Sequence, residues 1–566
     1  MQQQSWDHEV DFLVVGAGGG GLTAAIRAHD LGASTLIVEK SNLYGGSTAL
    51  SGGVVWVPNN RYMAAAGLAD SCDAGLRYLL KVTEGISSPE CLRAYVETAP
   101  RMLDYLAERT HVRFQTLADY PDYYPEQDGG ASGGRSCEPE AFDARRLGAE
   151  FEHQRVHPRE YMIWGWLTVR AIEGKSLMRA DWRGQAILAR KALKYFLDLP
   201  ERLRGRLNRQ LTLGGALVAR LRLSLMERQV PLWLDTPLRD LVLDGSRVAG
   251  AVLERNGKGL RVRARRGVLL AAGGFEHNAE LRRRYQQEPT GSDWTAGSES
   301  NTGDTLEIGQ HVGAAFDLLD DAWWCPVTQV TGEPFRRVVL FEKNLPGSII
   351  VNQKGERFMN EAAPYNDVGK SMYRAHQEGV PAIPGHLVFD AVFRSRYSAG
   401  PIFPGRMQPD HRIPERYRGF LTRAETLDEL AHAIGVDAGG LTKTIARFNE
   451  LARNGKDLDF HRGESRQDRF YTLYAGAPNP NLAPIEKPPF YSLKVWPGDL
   501  GTKGGLRTDA HAGVLRGSGD AIPGLYATGN CTASIMGRTY PGAGGTIGPA
   551  MTFGFIAAEH SLTGAG

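Results

Sequence analysis

Cysteine is scarce in this sequence of 566 residues, and the few cysteines form no recognisable pattern. There are five of them, an odd number, and no two stand in a C-x-x-C pair. Wide spacing without such pairs predicts neither a zinc site nor a framework of disulfide bonds. The cysteines are Cys72, Cys91, Cys137, Cys325 and Cys531. We therefore expect free thiols in a reducing, cytoplasmic environment.

Long apolar runs and several common catalytic motifs are also missing. No apolar run approaches the roughly 18 residues that a membrane-spanning helix requires. The polar first residues lead directly into a predicted strand, which predicts that there is no signal peptide. Neither a P-loop nor a G-x-S-x-G nucleophile motif is present. His153 and His157 have helical i,i+4 spacing but no convincing third ligand, so we predict no metal site.

The net charge is close to zero, at +2, but the charge is unevenly distributed. Residues 170–222 contain thirteen Lys or Arg and four Asp or Glu, a net charge of +9, so the rest of the chain carries −7. Apolar residues recur in this basic segment at spacings of three or four, which predicts amphipathic helices. Pro200 predicts the start of a second helix. The apolar stripe consists of Leu188, Ala192, Phe196, Leu199, Leu203 and Leu207.

Two interpretations of the basic segment remain open. A basic amphipathic helix pair can lie in the headgroup region of an anionic bilayer, which would place the protein peripherally at the inner face of the cell membrane. Alternatively, the helices are solvated and pack on their own domain, or they form an oligomer contact. We expect no nucleic-acid partner, because nucleic-acid binders usually carry wide basic faces and the rest of this chain is acidic.

Glycine, by contrast, is abundant. The chain has 68 glycines, or 12% of its residues, whereas about 7% is usual. They are not periodic but clustered, which is typical of backbone that turns sharply or lies against a ligand. The clusters lie near 16–21, 45–53, 214–215, 273–274, 501–505 and 529–548.

The first glycine cluster has the pattern G-x-G-x-x-G at Gly16, Gly18 and Gly21. An apolar strand at 11–15 precedes it, a helix follows, and a second strand ends in Glu39. In such a unit the glycines permit a tight turn and the close approach of a pyrophosphate, while the helix N-terminus attracts the phosphates. The acid can hydrogen-bond a ribose diol. The pattern predicts dinucleotide binding without distinguishing NAD from FAD.

Two further segments favour a flavin. Glycines and small polar residues directly follow Glu39, and a strand that ends in Gly529 and Asn530 lies near the other end of the chain. A flavin needs backbone donors around its pyrophosphate and pyrimidine carbonyls, and small residues where its ring lies flat. The first segment contributes the candidate cofactor residues Lys40, Gly45, Gly46, Ser47, Ser51, Gly52 and Gly53.

The two ends of the chain therefore form one predicted domain. We predict an α/β fold in which residues 1–285 and 491–566 build a Rossmann-like FAD-binding domain. The intervening residues 286–490 have more aromatics and prolines and few glycine clusters. They predict an inserted α+β substrate domain that caps the first one.

With these motifs in place, the sequence resembles the 3-ketosteroid Δ1-dehydrogenases, within the flavoprotein superfamily of the fumarate reductases and succinate dehydrogenases. The resemblance covers nearly the whole chain, and the basic segment resembles an insertion in longer, membrane-associated members. It implies FAD as cofactor, a 3-ketosteroid as substrate and an unidentified electron acceptor. The specific blocks are 16–21, 45–53, 94–100, 120–124, 357–365, 501–506 and 539–551, of which the last is the most specific.

The resemblance also implies the residues of a site. The catalytic positions of the family match Tyr123, Tyr365, Tyr540 and Gly544. A shift in register would exchange Tyr123 for Tyr120 or Tyr124. Further candidate cofactor residues are Gly273, Thr546 and Ile547. Candidate pocket residues are Val54, Tyr120 and Trp324, with Trp323 and Phe403 as further apolar candidates.

These residue types suit the oxidation of a carbon–carbon bond beside a ketone. Such a reaction removes a proton next to the carbonyl, and the hydride from the next carbon goes to N5 of a flavin. The Tyr540 hydroxyl and the Gly544 N–H can stabilise the enolate oxygen at C3. Tyr365 would remove the proton from C2, and the product would be a 1-ene-3-ketosteroid. Because a free tyrosine has a pKa of about 10, we expect a hydrogen bond from Tyr123 to lower the pKa of Tyr365.

Three alternatives stay beside this interpretation. The nearest keeps the flavin and the ketone but forms the double bond elsewhere, as a 3-ketosteroid Δ4-(5α)-dehydrogenase does. A fumarate reductase-like enzyme would need convergent Arg and His side chains, and Arg538 stands near Tyr540 with no His beside it. A basic, nucleotide-dependent membrane or nucleic-acid binding protein would leave the block around Tyr540 unexplained.

Overall fold

A computed structural model describes residues 5–179, 182–204, 208–472 and 478–564. Its strands belong to two large sheets and several short ribbons. In chain order they are β1 (His8–Val15), β2 (Thr35–Val38), β3 (Val55–Trp56), β4 (Phe114–Thr116), β5 (Ser136–Pro139), β6 (Phe142–Asp143), β7 (Gln210–Leu211), β8 (Leu232–Trp233), β9 (Leu238–Asp244), β10 (Arg247–Arg255), β11 (Lys258–Leu270), β12 (Phe316–Asp317), β13 (Ala322–Thr328), β14 (Arg337–Val338), β15 (Ser348–Val351), β16 (Gly385–Phe389), β17 (Thr422–Ala424), β18 (Phe490–Thr502), β19 (Gly505–Leu506), β20 (Gly513–Leu515) and β21 (Ala521–Ala527).

The helices cover the faces of these sheets. In chain order they are α1 (Gly19–Asp30), α2 (Gly46–Leu50), α3 (Arg61–Ala65), α4 (Cys72–Val82), α5 (Pro89–Arg109), α6 (Ala171–Arg179), α7 (Trp182–Leu197), α8 (Leu199–Arg204), α9 (Leu213–Glu227), α10 (Ala279–Tyr285), α11 (Asp304–His311), α12 (Tyr365–Gln377), α13 (Ala391–Arg396), α14 (Leu427–Ile434), α15 (Ala438–Asn454), α16 (Arg466–Phe470) and α17 (Ile547–Thr563). Short 3₁₀ helices span Ala144–His153, Arg159–Tyr161, Glu342–Asn344, Asp410–Arg412, Glu415–Tyr417 and Gly529–Cys531.

The larger sheet is assembled from both ends of the chain. β1 pairs in parallel with β2 on one side and with β11 on the other, and β11 pairs in parallel with β21. Phe12–Val15 of β1 are buried, as is typical of a parallel strand covered on both faces. On one of these faces α1 packs against the C-terminal helix α17. The predicted α/β fold, with an FAD-binding domain built from both chain ends, is confirmed.

The second large sheet is antiparallel and lies in the inserted domain. Its strand order is β14-β13-β18-β16-β15, with β17 paired to β18. Alternate residues of β15 face opposite layers, because successive side chains of a strand point to opposite faces. Ile350 packs with the core under α12, whereas Ile349 and Val351 pack with the core under α14 and α15. This arrangement is the capping domain that the change in composition indicated.

The structure places both domain boundaries later than predicted. β18 pairs along its length with β13 and β16 of the capping sheet, so the predicted boundary at 490/491 would cut this strand from its own sheet. After 285, α11 still contributes Ile308 to the core of the FAD-binding domain. Glycine clusters mark turns and loops beside the ligand, whereas hydrogen bonding between strands decides to which sheet a segment belongs.

The basic segment divides into two structurally different parts. α9 is buried along almost all of its length and packs against α1 and α2. Its Arg220 donates hydrogen bonds to the carbonyl oxygens of His111 and Ala141, at 2.7 and 2.8 Å. Arg222 donates to the Glu150 carboxylate at 2.7 Å. The expectation of a surface helix is therefore wrong for the last part of the segment, which is internal to the FAD-binding domain.

The first part of the segment, α6–α8, lies at the surface. α8 begins at Leu199 with Pro200 in its second position, as predicted for a separate helix. Of the predicted apolar stripe, Leu188 and Ala192 are half-buried, while Phe196, Leu199 and Leu203 are exposed. Leu207 lies outside the described residues. Across the described part of the chain, none of the helices combines the length and apolar character that are needed to cross a bilayer.

Candidate active site

Three tyrosines from distant segments meet in one buried cluster. The ring centroids of Tyr123, Tyr365 and Tyr540 lie 5.4, 5.3 and 5.2 Å apart, pair by pair. All three side chains are buried. Tyr123 lies in the loop before β5, Tyr365 begins α12 of the capping domain, and Tyr540 precedes α17. The resemblance singled out these three residues, and the structure brings them together.

Neighbouring hydrogen bonds hold the three segments in this arrangement. The backbone N–H of Tyr123 donates to the carbonyl oxygen of Pro541 at 2.9 Å, which joins the first segment to the third. The Tyr124 hydroxyl donates to the carboxylate of Asp367 at 2.9 Å, which joins the first segment to α12. The Tyr123 side chain therefore lies with Tyr365 and Tyr540, whereas the Tyr124 side chain bonds to Asp367.

Tyr540 and Gly544 line the same cavity. The Tyr540 hydroxyl lies 3.0 Å from Oγ1 of Thr546. Burial raises the pKa of Tyr540, and the backbone N–H of Gly544 acts in the opposite direction. Gly544 has a φ of +96°, and a Cβ atom there would lie 2.6 Å from the backbone of Val54 and Trp56. The glycine is therefore needed for close packing on β3.

Burial is the largest influence on the pKa values of the three tyrosines, and it raises all of them. Desolvation raises the pKa of Tyr365 well above its usual value of 10.0, and a hydrogen bond from Tyr123 acts in the opposite direction. Desolvation likewise raises the pKa of Tyr123 and of Tyr540. The Tyr123 hydrogen bond thus has the expected sign, but the expected net lowering of the pKa of Tyr365 is wrong. The main cause is the loss of hydration on burial, and the neighbouring Tyr540 and Tyr120 add to the rise, so the single interaction with Tyr123 is outweighed.

A second pair of tyrosines borders the cluster. The Tyr120 hydroxyl lies 3.4 Å from that of Tyr123 and also bonds to the hydroxyl of Tyr471. Phe470 packs against Tyr120 with the ring centroids 4.2 Å apart. Phe470 and Tyr471 are absent from the sequence-based prediction. They stand in no recognisable motif, and only the folding of the capping domain brings them to Tyr120.

One cavity of about 1810 Å³ connects the tyrosines with the glycine-rich segments. A single small ligand usually occupies roughly 300–1,000 Å³, so this space suits a cofactor and a substrate together. The predicted residues that line it are Gly16, Gly18, Glu39, Lys40, Gly46, Ser47, Ser51, Gly52, Gly53, Val54, Tyr120, Tyr123, Gly273, Tyr365, Gly529, Asn530, Tyr540, Gly544, Thr546 and Ile547. Gly21 and Gly45 lie behind its wall, where a Cβ at Gly21 would lie 2.1 Å from the carbonyl oxygen of Gly16.

The chemistry of the lining fits FAD. Gly18 and Gly46 face the cavity, and the nearest atom to an added Cβ lies 3.8 Å away at Gly18 and 3.9 Å away at Gly46, so side chains there would fill ligand space. The N-terminus of α1 lies at the same place, where its positive end favours a pyrophosphate, and the first N–H of the helix, that of Gly19, donates to Oγ1 of Thr48 at 3.1 Å. Gly16 has a φ of +107°, which glycine adopts without strain.

Glu39 lies where a ribose would be recognised. Its two carboxylate oxygens accept hydrogen bonds from the backbone N–H groups of Ala17 and Ser41, at 2.9 and 3.0 Å. Burial raises the pKa of Glu39, and these two N–H donors oppose the rise. Each oxygen keeps a second lone pair for a ribose hydroxyl. The neighbouring Lys40 forms an ion pair with Asp304 at 2.9 Å, so its charge is partly neutralised within the protein.

Three predicted pocket residues lie elsewhere. Trp324 is buried in the core of the capping domain, where it contacts Tyr373 and donates to Asp321 at 2.7 Å. Phe403 is partly exposed and does not line the cavity. Trp323 lies behind Tyr540, with ring centroids 4.8 Å apart, and donates to Asn530 at 3.2 Å. The prediction for Trp324 is therefore corrected: consecutive residues of β13 point to opposite faces.

Residues 151–177 contribute a further wall of the cavity that sequence reasoning missed. Arg155 donates to the hydroxyls of Ser41 and Ser300, both at 3.1 Å. His157, interpreted from its spacing as ordinary, is half-buried beside Ser51 of the glycine segment, and desolvation lowers its pKa. Ile172 and Leu177 extend the lining into α6. Within the described residues, no group of three or more His, Cys, Asp or Glu side chains is arranged to hold a metal.

Known proteins are similar to this chain in both sequence and architecture. A family model described as an FAD binding domain matches residues 11–547. The 3-oxosteroid 1-dehydrogenase of Mycobacterium tuberculosis (strain ATCC 25618 / H37Rv) is 43% identical to this chain, over 99% of both proteins. The chain belongs to the 3-oxosteroid 1-dehydrogenase family. The predicted relationship and the predicted FAD cofactor are confirmed.

Two further comparisons support the family membership. The 3-oxosteroid 1-dehydrogenase of Mycolicibacterium smegmatis is 42% identical, over 97% of this chain and 96% of its own length. The crystal structure of the 3-ketosteroid Δ1-dehydrogenase of Sterolibacterium denitrificans, in complex with 1,4-androstadiene-3,17-dione, matches with a TM-score of 0.95 and 45% identity. That match covers 99% of this chain and all of the other. This family member is an FAD-dependent oxidoreductase that acts on CH–CH bonds.

Proposed function

We propose that the protein is a 3-ketosteroid Δ1-dehydrogenase, which forms a double bond between C1 and C2 of a 3-ketosteroid. The observation that carries the proposal is the convergence of Tyr123, Tyr365 and Tyr540 with the Gly544 N–H on one cavity that fits FAD. The enzymes of M. tuberculosis and S. denitrificans, whose names describe this reaction, support it.

Tyr365 is the residue that we assign as the base. In its phenolate form it would accept the proton that leaves C2 beside the carbonyl. The hydrogen bond from Tyr123 acts to lower the pKa of Tyr365, which stabilises the phenolate in a desolvated place. Because the cluster is buried, the proton transfer would take place away from bulk water.

Tyr540 and Gly544 supply the two donors for the oxygen at C3. As the C2 proton leaves, negative charge builds on this oxygen, and donors that are already in place stabilise it at no cost of reorganisation. When bound, FAD supplies the acceptor for the hydride from C1. The loss of one proton and one hydride leaves the new double bond conjugated with the carbonyl group.

Anaerobic mixing of the purified holoenzyme with a 3-ketosteroid tests the proposal. We expect bleaching of the flavin absorbance and a product with a double bond between C1 and C2, identified by NMR. A saturated 3-ketosteroid should be offered as well, because a Δ4-(5α)-dehydrogenase would place the double bond between C4 and C5. Product of that second kind, or no bleaching with any 3-ketosteroid, would overturn the proposal.

A fumarate reductase-like activity receives no support from Arg538. Its guanidinium pairs with the carboxylate of Asp320 at 2.8 Å, and the residue does not line the cavity. The charge that was considered for a dicarboxylate substrate is therefore engaged elsewhere. The walls near the tyrosines are mainly aromatic and aliphatic instead, as Phe470, Leu340 and Val338 illustrate.

We also propose that helices α6–α8 bind an anionic membrane surface peripherally. Half of the exposed large hydrophobic side chains in the described part of the chain fall between 164 and 203. They are Trp164, Ile172, Trp182, Leu193, Phe196, Leu197, Leu199 and Leu203. A basic segment with apolar side chains exposed in this way suits the headgroup region of a bilayer. Because α6 also lines the cavity, a substrate dissolved in the bilayer would meet the protein at this side.

A further inference from the structure

Lys503 is a fully buried cation that lies behind Tyr540. It directly follows β18, and its side chain has no exposed area. Its ammonium donates a hydrogen bond of 2.8 Å to the carbonyl oxygen of Thr539, the residue before Tyr540. The same nitrogen lies 4.6 Å from the ring centroid of Trp323. Since Trp323 packs against Tyr540, Lys503 reaches this tyrosine both through the backbone and through a ring.

The charged groups around Lys503 form a small cluster centred on Asp321. The Asp321 carboxylate lies 3.6 Å from the ammonium of Lys503 and 3.7 Å from that of Lys370. Lys370 lies on α12 and donates to the carbonyl oxygen of Arg538. Asp367, on the same helix, accepts the hydrogen bond from Tyr124 and is a further charged neighbour. The Arg538 guanidinium pairs with Asp320 at 2.8 Å and is also attracted to Asp321. Two cations thus share Asp321 behind the loop that carries Tyr540.

The charged form of Lys503 is disfavoured by desolvation in this place. Burial lowers the pKa of Lys503 to about 7, and the carboxylate of Asp321 opposes this effect. An apolar side chain of similar length would avoid the desolvation penalty. A buried charge at this point therefore calls for a reason beyond packing. The residue that Lys503 reaches through both Thr539 and Trp323 is Tyr540.

We propose that Lys503 is a positioning residue for Tyr540, and that its positive charge strengthens the site where the oxygen of the substrate becomes anionic. The contacts with Thr539 and Trp323 restrict the backbone and the ring of Tyr540. In a buried site a nearby cation favours an anion more strongly than it would in water. The inference rests on the proposed function, because it concerns the same enolate oxygen.

The first test compares Lys503→Met with Lys494→Met. Lys494 is exposed on the same strand, β18, and serves as the matched control. In K503M we expect flavin reduction by a 3-ketosteroid to be about 10-fold to 100-fold slower, with KM changed less than about threefold and with FAD retained. K494M should behave as the wild type. The ratio of wild-type to K503M rates should shrink as the pH rises through 7, because wild-type Lys503 then loses its own proton.

A binding measurement separates the charge from mere packing. A steroid with a phenolic A ring mimics the enolate when it ionises. Electron-withdrawing groups on the ring must let it ionise below pH 7, where Lys503 is still charged. The pKa of the bound phenol, read from its absorbance, then reports the potential at the substrate oxygen. We expect this pKa to be about one unit higher in K503M than in the wild type. Lys503→Gln keeps a donor for the Thr539 carbonyl without the charge and should show the same rise. It also replaces K503M if the methionine variant fails to retain FAD.

The outcomes distinguish this inference from the proposed function. If neutral variants at 503 match K494M in both rate and phenol pKa, the inference is overturned. If K503Q keeps the wild-type phenol pKa but reacts slowly, the electrostatic half of the inference is wrong and Lys503 only holds Thr539. The wild-type arm alone decides the proposed function, since failure to bleach with 3-ketosteroids refutes that function whatever the variants do.

Discussion

At the scale of single residues, the central feature is Tyr365, a weak acid that lies where its charged form is disfavoured. Burial raises the pKa of Tyr365 well above 10, so at neutral pH only a small fraction of this residue is phenolate. If the phenolate is the reactive form, the rate must rise with pH for as long as the pH stays below that pKa. The hydrogen bond from Tyr123 increases the reactive fraction.

Tyr365→Phe tests this assignment directly. We expect flavin reduction by a 3-ketosteroid to slow by about 10²-fold to 10⁴-fold, the usual contribution of a general base. FAD and steroid binding should be retained, because the ring stays in the cluster. In the wild type the rate should increase with pH between 6 and 9, and the variant should lose this increase. Stopped-flow absorbance with a steroid titration measures both quantities.

Tyr373→Phe is the matched control for that experiment. Tyr373 lies on the same helix α12, but it contacts Trp324 in the core of the capping domain and does not line the cavity. Its variant should keep both the wild-type rate and the pH dependence. Normal turnover in Y365F would remove Tyr365 as the base, and a flat pH profile in the wild type would argue against a tyrosine base of raised pKa.

At the scale of elements, α6–α8 and α9 show how different neighbouring helices can be. α9 is apolar nearly all round and is buried, with Arg220 satisfied by backbone carbonyl oxygens. α7 and α8 instead leave large apolar side chains in the open, and Leu203 is 89% exposed. An apolar surface of this kind usually marks a place of binding.

Leu199→Ser combined with Leu203→Ser tests the membrane proposal. Burial of a leucine side chain contributes about 1.5–3 kcal/mol, so we expect this double variant to bind phosphatidylglycerol vesicles at least about tenfold more weakly than the wild type. Vesicle co-sedimentation measures the bound fraction. Because both residues are largely exposed, 65% and 89%, catalysis in detergent solution should be unchanged.

The control for the double variant lies in the capping domain. Leu458 is 59% exposed outside the segment, so Leu458→Ser should bind vesicles as the wild type does. Binding should weaken in high salt and on uncharged phosphatidylcholine vesicles, because part of the attraction is electrostatic. Wild-type protein that stays in the supernatant with anionic vesicles at low salt would refute the proposal.

At the scale of the whole molecule, the cofactor cavity joins parts that the chain keeps far apart. Its wall includes the glycines after β1, residues of the capping domain and the start of α17. A ligand in this cavity contacts both ends of the chain and both domains at once. Binding of FAD should therefore stabilise the fold as a unit, by an amount that its concentration and affinity determine.

Removal and return of FAD test this expectation. At a free concentration of 100 times its Kd, FAD should raise the free energy of unfolding by about 2.7 kcal/mol over the apoprotein, measured by urea denaturation. Riboflavin, which lacks the pyrophosphate and the adenosine that would lie near Gly18 and Glu39, should restore much less. Equal stability with and without FAD would contradict the assignment of the cavity.

The features that depend on consecutive residues could be predicted from the sequence alone. The turn at Gly16 and Gly18, the helix that follows and Glu39 at the end of β2 form one continuous stretch, so their local pattern predicts their geometry. The blocks around Tyr365 and Tyr540 likewise pointed to the family, because they are contiguous. The fold class, the family and the cofactor could therefore be predicted from contiguous motifs.

Which side of a strand or helix faces the site depends on contacts between distant segments, and the sequence did not predict it. Consecutive tryptophans of β13 point in opposite directions, so Trp323 backs Tyr540 while Trp324 lies in the capping core. The same holds for α9, whose basic residues turn inward to acceptors from distant loops. Tyr471 contacts Tyr120, and Lys503 contacts Thr539 beside Tyr540, across long stretches of chain. No local pattern encodes contacts between segments so far apart.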